Sequence, residues 1–140
     1  MVELNNIAPF EGGAVAGSDN RQCRFYIPGP AGSPYEGGRF AVAVQFAVNH
    51  PHAPPAVRFE TKVFHPQVSF DEGHVCMEML EVGRWSPNTT IRDVLTALQA
   101  LLGQPNGNTP NNAEAGALLL RDAAAFATRA RAETASHARG

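Results

Sequence analysis

The sequence predicts an α+β fold, because strand-like patterns occupy the first half of the 140-residue chain and helix-like patterns the second. Residues 39–48 alternate large apolar side chains with alanine or polar ones, and this period of two is typical of a strand. After Pro87 the apolar residues recur at the spacing of an amphipathic helix. Residues 62–86 follow neither period, and a long irregular stretch inside a compact domain is usually functional.

The predicted strands follow one another through short turns, which indicates an antiparallel meander. Residues 22–27 and 56–60 form two of them, and three prolines place residues 49–55 in a loop between strands. The strand at residues 39–48 is predicted to bury its large apolar side chains, which are Phe40, Val42, Val44, Phe46 and Val48. A face made mostly of alanine lies opposite.

The second half of the chain is predicted to form three helices. Their approximate ranges are residues 91–102, 112–120 and 122–134. A threonine, Thr89 or Thr90, can cap the first helix, and Gly103 ends it. An asparagine, Asn111 or Asn112, can cap the second.

The length fits one domain, at roughly 100–200 residues per domain. Residues 21–135 are predicted to form it. Residues 1–20 are a short N-terminal segment, expected to be partly disordered or to hold a first strand. Residues 136–140 are a tail that is expected to fray.

The composition excludes several classes of protein. The formal net charge is −2, so no basic surface for nucleic acid is expected. No run approaches ~18 apolar residues, and the start shows no secretory signal, so no membrane insertion is expected. The two cysteines, Cys23 and Cys76, form no C-x-x-C pair, which favours free thiols in a reducing, cytoplasmic location.

Cys76 is the first candidate for chemistry, and the residues alone leave several interpretations open. It is either a buried core thiol or an exposed nucleophile. A cysteine protease would pair it with His65 or His74. A metal site would add the histidines of the pair His50-x-His52. Trp85, farther along, fits a core aromatic.

A set of motifs then occurs in fixed order along the chain. They are Gly29-Pro30, Ser33-Pro34-Tyr35-Glu36-Gly37-Gly38, Pro54-Pro55, Val57-Arg58-Phe59, His65-Pro66, Cys76 and Trp85-Ser86-Pro87. On these motifs the chain resembles the ubiquitin-conjugating enzyme family over about residues 22–134. The resemblance implies the family's UBC-like fold, a four-stranded antiparallel meander packed against C-terminal helices.

The resemblance also implies an activity and roles for single residues. Cys76 matches the cysteine that accepts ubiquitin or a ubiquitin-like protein as a thioester, for transfer to an amine or a ligase. Gln67 stands where the family has an asparagine and is the expected amide donor. His65 is expected to support the loop, and Thr109 to orient the incoming amine. No cofactor is needed.

The implied partners are the modifier, an activating enzyme and, where one takes part, a ligase. The partner-binding positions implied by the resemblance are His52, Trp85, Ser86, Pro87 and Asn88. The family's N-terminal amphipathic helix is not expected here, because residues 1–20 are short and glycine-rich.

Three alternatives stay open. The first is a non-catalytic or weakly active UBC-fold binding module. The second is a conjugating enzyme of the peroxisomal type, suggested by Val68-Ser69-Phe70. The third is a member of a bacterial ubiquitin-like system, suggested by the abundance of alanine and arginine.

Overall fold

The computed structural model describes residues 10–15, 21–75, 77–81, 83–107 and 111–138. Its elements, in chain order, are β1 (Glu11–Ala14), β2 (Gln22–Pro28), β3 (Arg39–Gln45), β4 (Ala56–Phe59), a 3-10 helix (Glu78–Leu80), α1 (Ile91–Gly103), α2 (Ala113–Arg121) and α3 (Ala123–His137). The strands form one sheet in the order β1-β2-β3-β4, with every neighbouring pair antiparallel. The predicted α+β meander followed by helices is therefore confirmed.

One face of the sheet is buried because its apolar residues align across the strands. Phe25 of β2 pairs with Val42 of β3, which pairs with Phe59 of β4, and all three are buried. Burying a side chain of this size contributes roughly 1.5–3 kcal/mol relative to leaving it exposed. Helix α1 adds its apolar stripe to the same core, namely Ile91, Val94, Leu95, Leu98 and Leu102.

Strand β3 ends earlier than the alternation of its sequence predicts. Phe46 is buried, and its N–H donates to the carbonyl of Arg21 at 2.7 Å. A turn follows, in which the N–H of His50 donates to the carbonyl of Ala47 at 3.0 Å. This turn leaves Val48 85% exposed, so the prediction that Val48 faces the core is wrong.

Short polar side chains determine where the helices begin. The hydroxyl of Thr90 accepts from the N–H of Asp93, whose carboxylate accepts from the N–H of Thr90, which is a reciprocal capping box. The amide oxygen of Asn112 accepts from the N–H of Ala115, and Asp122 caps α3 in the same way. Of the two threonines and two asparagines considered as caps, the second of each pair takes the role.

The C-terminal helix continues beyond its predicted end at residue 134. It runs to His137, and Ala138 after it is buried. The carbonyl of Ala138 accepts from the N–H of Arg39 at 2.7 Å, which ties this end to β3. Fraying from residue 136 is therefore wrong as far as residue 138, and residues 139–140 lie outside the described residues.

The N-terminal segment contains the first strand. Strand β1 pairs with β2, with Glu11 opposite Tyr26 and Ala14 opposite Cys23. The expectation about an N-terminal helix falls on residues 1–9, which lie outside the described residues, as do residues 16–20. The predicted domain boundary at residue 21 stays a prediction.

Helices long and apolar enough to cross a bilayer do not occur in the part of the chain that the structure describes.

Candidate active site

His65 anchors the loop that follows β4. Its side chain is fully buried, and its Nε2 lies 2.7 Å from the carbonyl oxygen of Leu101 in α1. Its Nδ1 accepts from the N–H of Gln67 at 3.0 Å, so the proton belongs on Nε2, which donates to Leu101. Burial lowers the pKa of His65 to about 4, so the ring is neutral at physiological pH.

Tyr35 supports the same loop from the other side. Its buried hydroxyl donates to the carbonyl of Phe64 at 2.6 Å, and its ring lies 5.7 Å from that of His65. Burial raises the pKa of the Tyr35 hydroxyl above its usual range. Two hydrogen bonds and an aromatic neighbour thus hold the His65 ring in place, and the role expected of His65 at the site stays a prediction.

Gln67 joins this loop to the segment after α1. Its side chain is 5% exposed. The amide nitrogen donates to the carbonyl of Asn106, and the amide oxygen accepts from the N–H of Asn106 at 2.9 Å. The amide nitrogen carries two N–H groups, and Asn106 accepts from one of them. Gln67 therefore braces the loop through both ends of its amide.

A short hairpin leads from Gln67 towards Cys76. Val68 forms a β-bridge with Val75. The hydroxyl of Ser69 accepts from the N–H of His74 at 2.9 Å, and the N–H of Ser69 donates to the carbonyl of His74 at 3.0 Å. The turn contains Gly73 with φ of 76°, and a Cβ there would lie 1.9 Å from a backbone carbonyl oxygen. Only glycine fits this turn without strain.

The start of α2 closes against this hairpin. The N–H groups of Asn111 and Asn112 donate to the carbonyl of Pro66, at 2.7 and 3.0 Å. The side-chain amide nitrogen of Asn111 lies 3.4 Å from the carbonyl oxygen of Gln67 and 3.3 Å from that of His74. We call residues 65–75, residue 106 and residues 111–112 the site segments.

Two predicted site residues, Cys76 and Thr109, lie outside the described residues. Their chain neighbours are described. Val75 and Met77, which flank Cys76, are half-buried and pack against the hydrophobic core. The other cysteine, Cys23, is buried on β2, and burial raises the pKa of its thiol. A thiolate at Cys23 is therefore disfavoured.

The predicted partner-binding residues fall on two neighbouring loops. The indole N–H of Trp85 donates to the carbonyl of Pro51 at 2.7 Å, which joins the loop after β3 to the loop before α1. Trp85 is half-buried against the core. His52 on the first loop is exposed, as are the residues after Trp85 on the second, namely Ser86, Pro87 and Asn88.

The histidines considered as metal ligands are dispersed. His65 is committed to backbone groups, and the ring of His50 packs edge-on against Phe46 with centroids 4.6 Å apart. His74 is exposed near Glu72. Within the described ranges, which exclude Cys76, His, Cys, Asp and Glu residues form no group of three suited to a metal ion.

Asn106 and Asn111 are not among the site residues that the sequence predicts. The sequence predicts only a helix cap at Asn111 or Asn112, and Asn106 lies 39 residues from its partner Gln67. The spacing of residue types along the sequence does not indicate a hydrogen-bonded pair this far apart. The irregular spacing of residues 62–86 indicated where the hairpin lies, but not that it forms hydrogen bonds with Asn106 and Asn111.

Known proteins resemble this chain over most of its length. A family model described as "Ubiquitin-conjugating enzyme" matches residues 4–134. "Ubiquitin-conjugating enzyme E2 1" of Schizosaccharomyces pombe is 38% identical over 110 residues, which cover 79% of this chain and 50% of that protein. "Ubiquitin-conjugating enzyme E2 27" of Arabidopsis thaliana is 36% identical over 113 residues, 81% of this chain and 58% of that protein.

A solved structure shows the same fold. The E2 domain of a Toxoplasma gondii ubiquitin conjugating enzyme superposes with a TM-score of 0.93 at 34% sequence identity. The match covers 98% of this chain and 94% of that one. The chain spans between half and three fifths of the two curated relatives described above. By its sequence and its fold, this chain belongs to the ubiquitin-conjugating enzyme family.

Proposed function

We propose that this chain is a conjugating enzyme that accepts ubiquitin or a ubiquitin-like protein as a thioester on Cys76. The observation that carries the proposal is the arrangement of the site segments in this chain, which belongs to the ubiquitin-conjugating enzyme family. The segment entering Cys76 is hydrogen-bonded to the loop of His65 and Gln67. That loop is in turn bonded to α1 and to the segment before α2.

The proposed reaction has two acyl transfers. In the first, the Cys76 thiolate attacks the modifier's C-terminal carbonyl carbon, a carbon–sulfur bond forms, and the activating enzyme's cysteine leaves as a thiolate. In the second, an amine or a ligase cysteine attacks the same carbon and Cys76 leaves. As the amide bond forms and the carbon–sulfur bond breaks, an attacking amine gives up one proton, which the leaving Cys76 thiolate or water takes up. We expect Thr109 to help orient that amine.

Transfer to an amine passes through a tetrahedral intermediate with a negative oxygen, which a fixed donor stabilises. We assign this role to Gln67. One N–H of its amide bonds to Asn106, and the second is the donor proposed for the oxyanion. A neutral His65 suits this arrangement, because its Nδ1 accepts from the N–H of Gln67 and so fixes the loop.

The proposed partners are the modifier, an activating enzyme and, for some transfers, a ligase. We propose that they bind the two loops joined by Trp85, where His52, Ser86, Pro87 and Asn88 are exposed. We propose a cytoplasmic location, because a reducing compartment keeps the Cys76 thiol available for loading. A purely non-covalent binding module has no use for a cysteine at position 76, so we favour the catalytic function.

A loading assay tests the proposal. The protein is incubated with ATP and either ubiquitin or a ubiquitin-like protein, each with its own activating enzyme, and then run on a non-reducing gel. We expect an adduct that a thiol reductant removes from the wild type, and none from Cys76→Ala. Cys76→Ser should form an ester that resists thiols.

The matched control for this assay is Cys23→Ala, which removes the chain's other cysteine. It should load like the wild type, because Cys23 is buried. No adduct on the folded wild type, or an adduct retained by Cys76→Ala, would overturn the proposal.

A further inference from the structure

Asn111 connects three parts of the site. Its backbone N–H donates to the carbonyl of Pro66 at 2.7 Å. Its side-chain amide nitrogen reaches the carbonyls of Gln67 and His74, at 3.4 and 3.3 Å. An asparagine amide nitrogen has two N–H groups, so one can point to each carbonyl.

The two acceptors belong to the two strands of the site hairpin. Gln67 carries the proposed oxyanion donor, and His74 is two residues before the proposed nucleophile. The hairpin is otherwise closed by the Val68–Val75 bridge and by the bonds between Ser69 and His74. The Asn111 side chain thus links the loop of the donor to the strand that enters Cys76 through hydrogen bonds. We call this pair of hydrogen bonds the Asn111 cross-link.

The fold does not need this side chain. The α2 helix is capped by the side chain of the next residue, Asn112, through the N–H of Ala115 at 3.0 Å. The contact to Pro66 uses the backbone of Asn111, which any residue except proline supplies. Asn111 is exposed, so replacing it removes no buried packing.

We propose that Asn111 is a positioning residue, whose side chain keeps the Gln67 donor and the Cys76 strand at a fixed separation during acyl transfer. This inference rests on the function proposed above. A misplacement of about 1 Å at a reacting centre costs up to about 100-fold in rate. Loss of the cross-link should therefore slow the chemical step and leave the binding of the amine unchanged.

The test is single-turnover discharge of preloaded ubiquitin thioester to free lysine, over a range of lysine concentrations. Asn111→Asp keeps the size of the side chain but replaces its donors with a carboxylate facing two carbonyl oxygens. Asn111→Ala removes the group altogether. We expect both variants to discharge at least about tenfold more slowly at saturating lysine, with an unchanged KM for lysine.

Gln45→Glu is the matched control for charge, because Gln45 is also exposed but lies at the end of β3, outside the site segments and the partner-binding loops. It should discharge at the wild-type rate. Thermal unfolding of all variants provides the structural readout. Both Asn111 variants should unfold within a few degrees of the wild type, since no packing is lost.

A double variant separates positioning from a general structural role. If Asn111 acts through Gln67, Asn111→Ala combined with Gln67→Ala should be no slower than Gln67→Ala alone. Wild-type discharge by both Asn111 variants would overturn the inference, as would multiplied losses in the double variant. If the wild type never forms the thioester, the proposed function itself is rejected. If the wild type forms it and the Asn111 variants discharge at the wild-type rate, only the inference about Asn111 is rejected.

Discussion

The sheet core and the site segments are held together by different forces. In the core, buried apolar side chains from β2, β3, β4 and α1 pack against one another. In the site segments, Val68 and Val75 also contact this core, and hydrogen bonds to backbone groups are added by His65, Gln67 and Asn111. Apolar packing depends on size and pattern, whereas each of these bonds depends on one particular side chain. Changes in the core should therefore affect stability, whereas changes in the site segments should affect the rate of transfer as well.

The largest expected effect on stability lies in the core. Phe40 is buried edge-on to Tyr35 and Phe59, with centroids 6.1 and 6.3 Å away. Phe40→Ala should lower the free energy of unfolding by about 3–5 kcal/mol, measured by urea denaturation. Val48→Ala, from the same alternating stretch, should change it by less than about 0.5 kcal/mol because Val48 is exposed. Equal losses for the two variants would contradict the assigned end of β3.

The pH dependence of stability should show the neutral, buried His65. Its pKa falls from 6.5 to about 4 in the folded state, so the unfolded chain binds more protons between these values. The free energy of unfolding should then decrease as the pH falls through this window, by about 3 kcal/mol in all. The contribution of the neutral His65 should be fully present above about pH 6.5. Urea denaturation across this range measures it. His65→Leu should flatten the curve, and a wild-type curve as flat as that of the variant would contradict a neutral buried ring.

Gln67→Ala should affect both stability and rate, and so tests the contrast between the two regions. It removes both hydrogen bonds between the Gln67 side chain and the backbone of Asn106, which costs about 1–3 kcal/mol. Loss of the oxyanion donor should slow discharge to free lysine by about 10²–10³-fold. Loading and discharge are followed separately on non-reducing gels. Equal losses in both steps would indicate that Gln67 serves folding rather than transfer.

The smallest expected effect lies at the two exposed loops. Trp85→Phe keeps most of the ring but removes the hydrogen bond to Pro51. The free energy of unfolding should fall by about 1 kcal/mol. Discharge to free lysine should stay at the wild-type rate, because this step uses no ligase. A discharge defect as large as that of Gln67→Ala would show that Trp85 takes part in acyl transfer. It would contradict the separation of the partner-binding loops from the site segments.

The same difference explains what the sequence alone could predict. Period and caps are local, so the order of strands and helices, and a threonine cap at residue 89 or 90, followed from the residues nearby. The exposed Val48 was mispredicted because an alternating pattern does not encode where the chain turns. The pairing of Gln67 with Asn106 joins residues far apart in the chain, and no local pattern carries it. The roles of Cys76 and Gln67 were suggested by resemblance to a family, and they stay predictions.

The most direct test of the central claim is the intact mass of the protein after incubation with ubiquitin, an activating enzyme and ATP. Our account predicts one added ubiquitin with the loss of one water, reversed by a thiol reductant, and no addition to Cys76→Ala. The Cys23→Ala protein should gain the same mass as the wild type. A mass that stays unchanged for the folded wild type with ubiquitin and with the ubiquitin-like proteins, or an addition that survives the reductant, would contradict a thioester on Cys76.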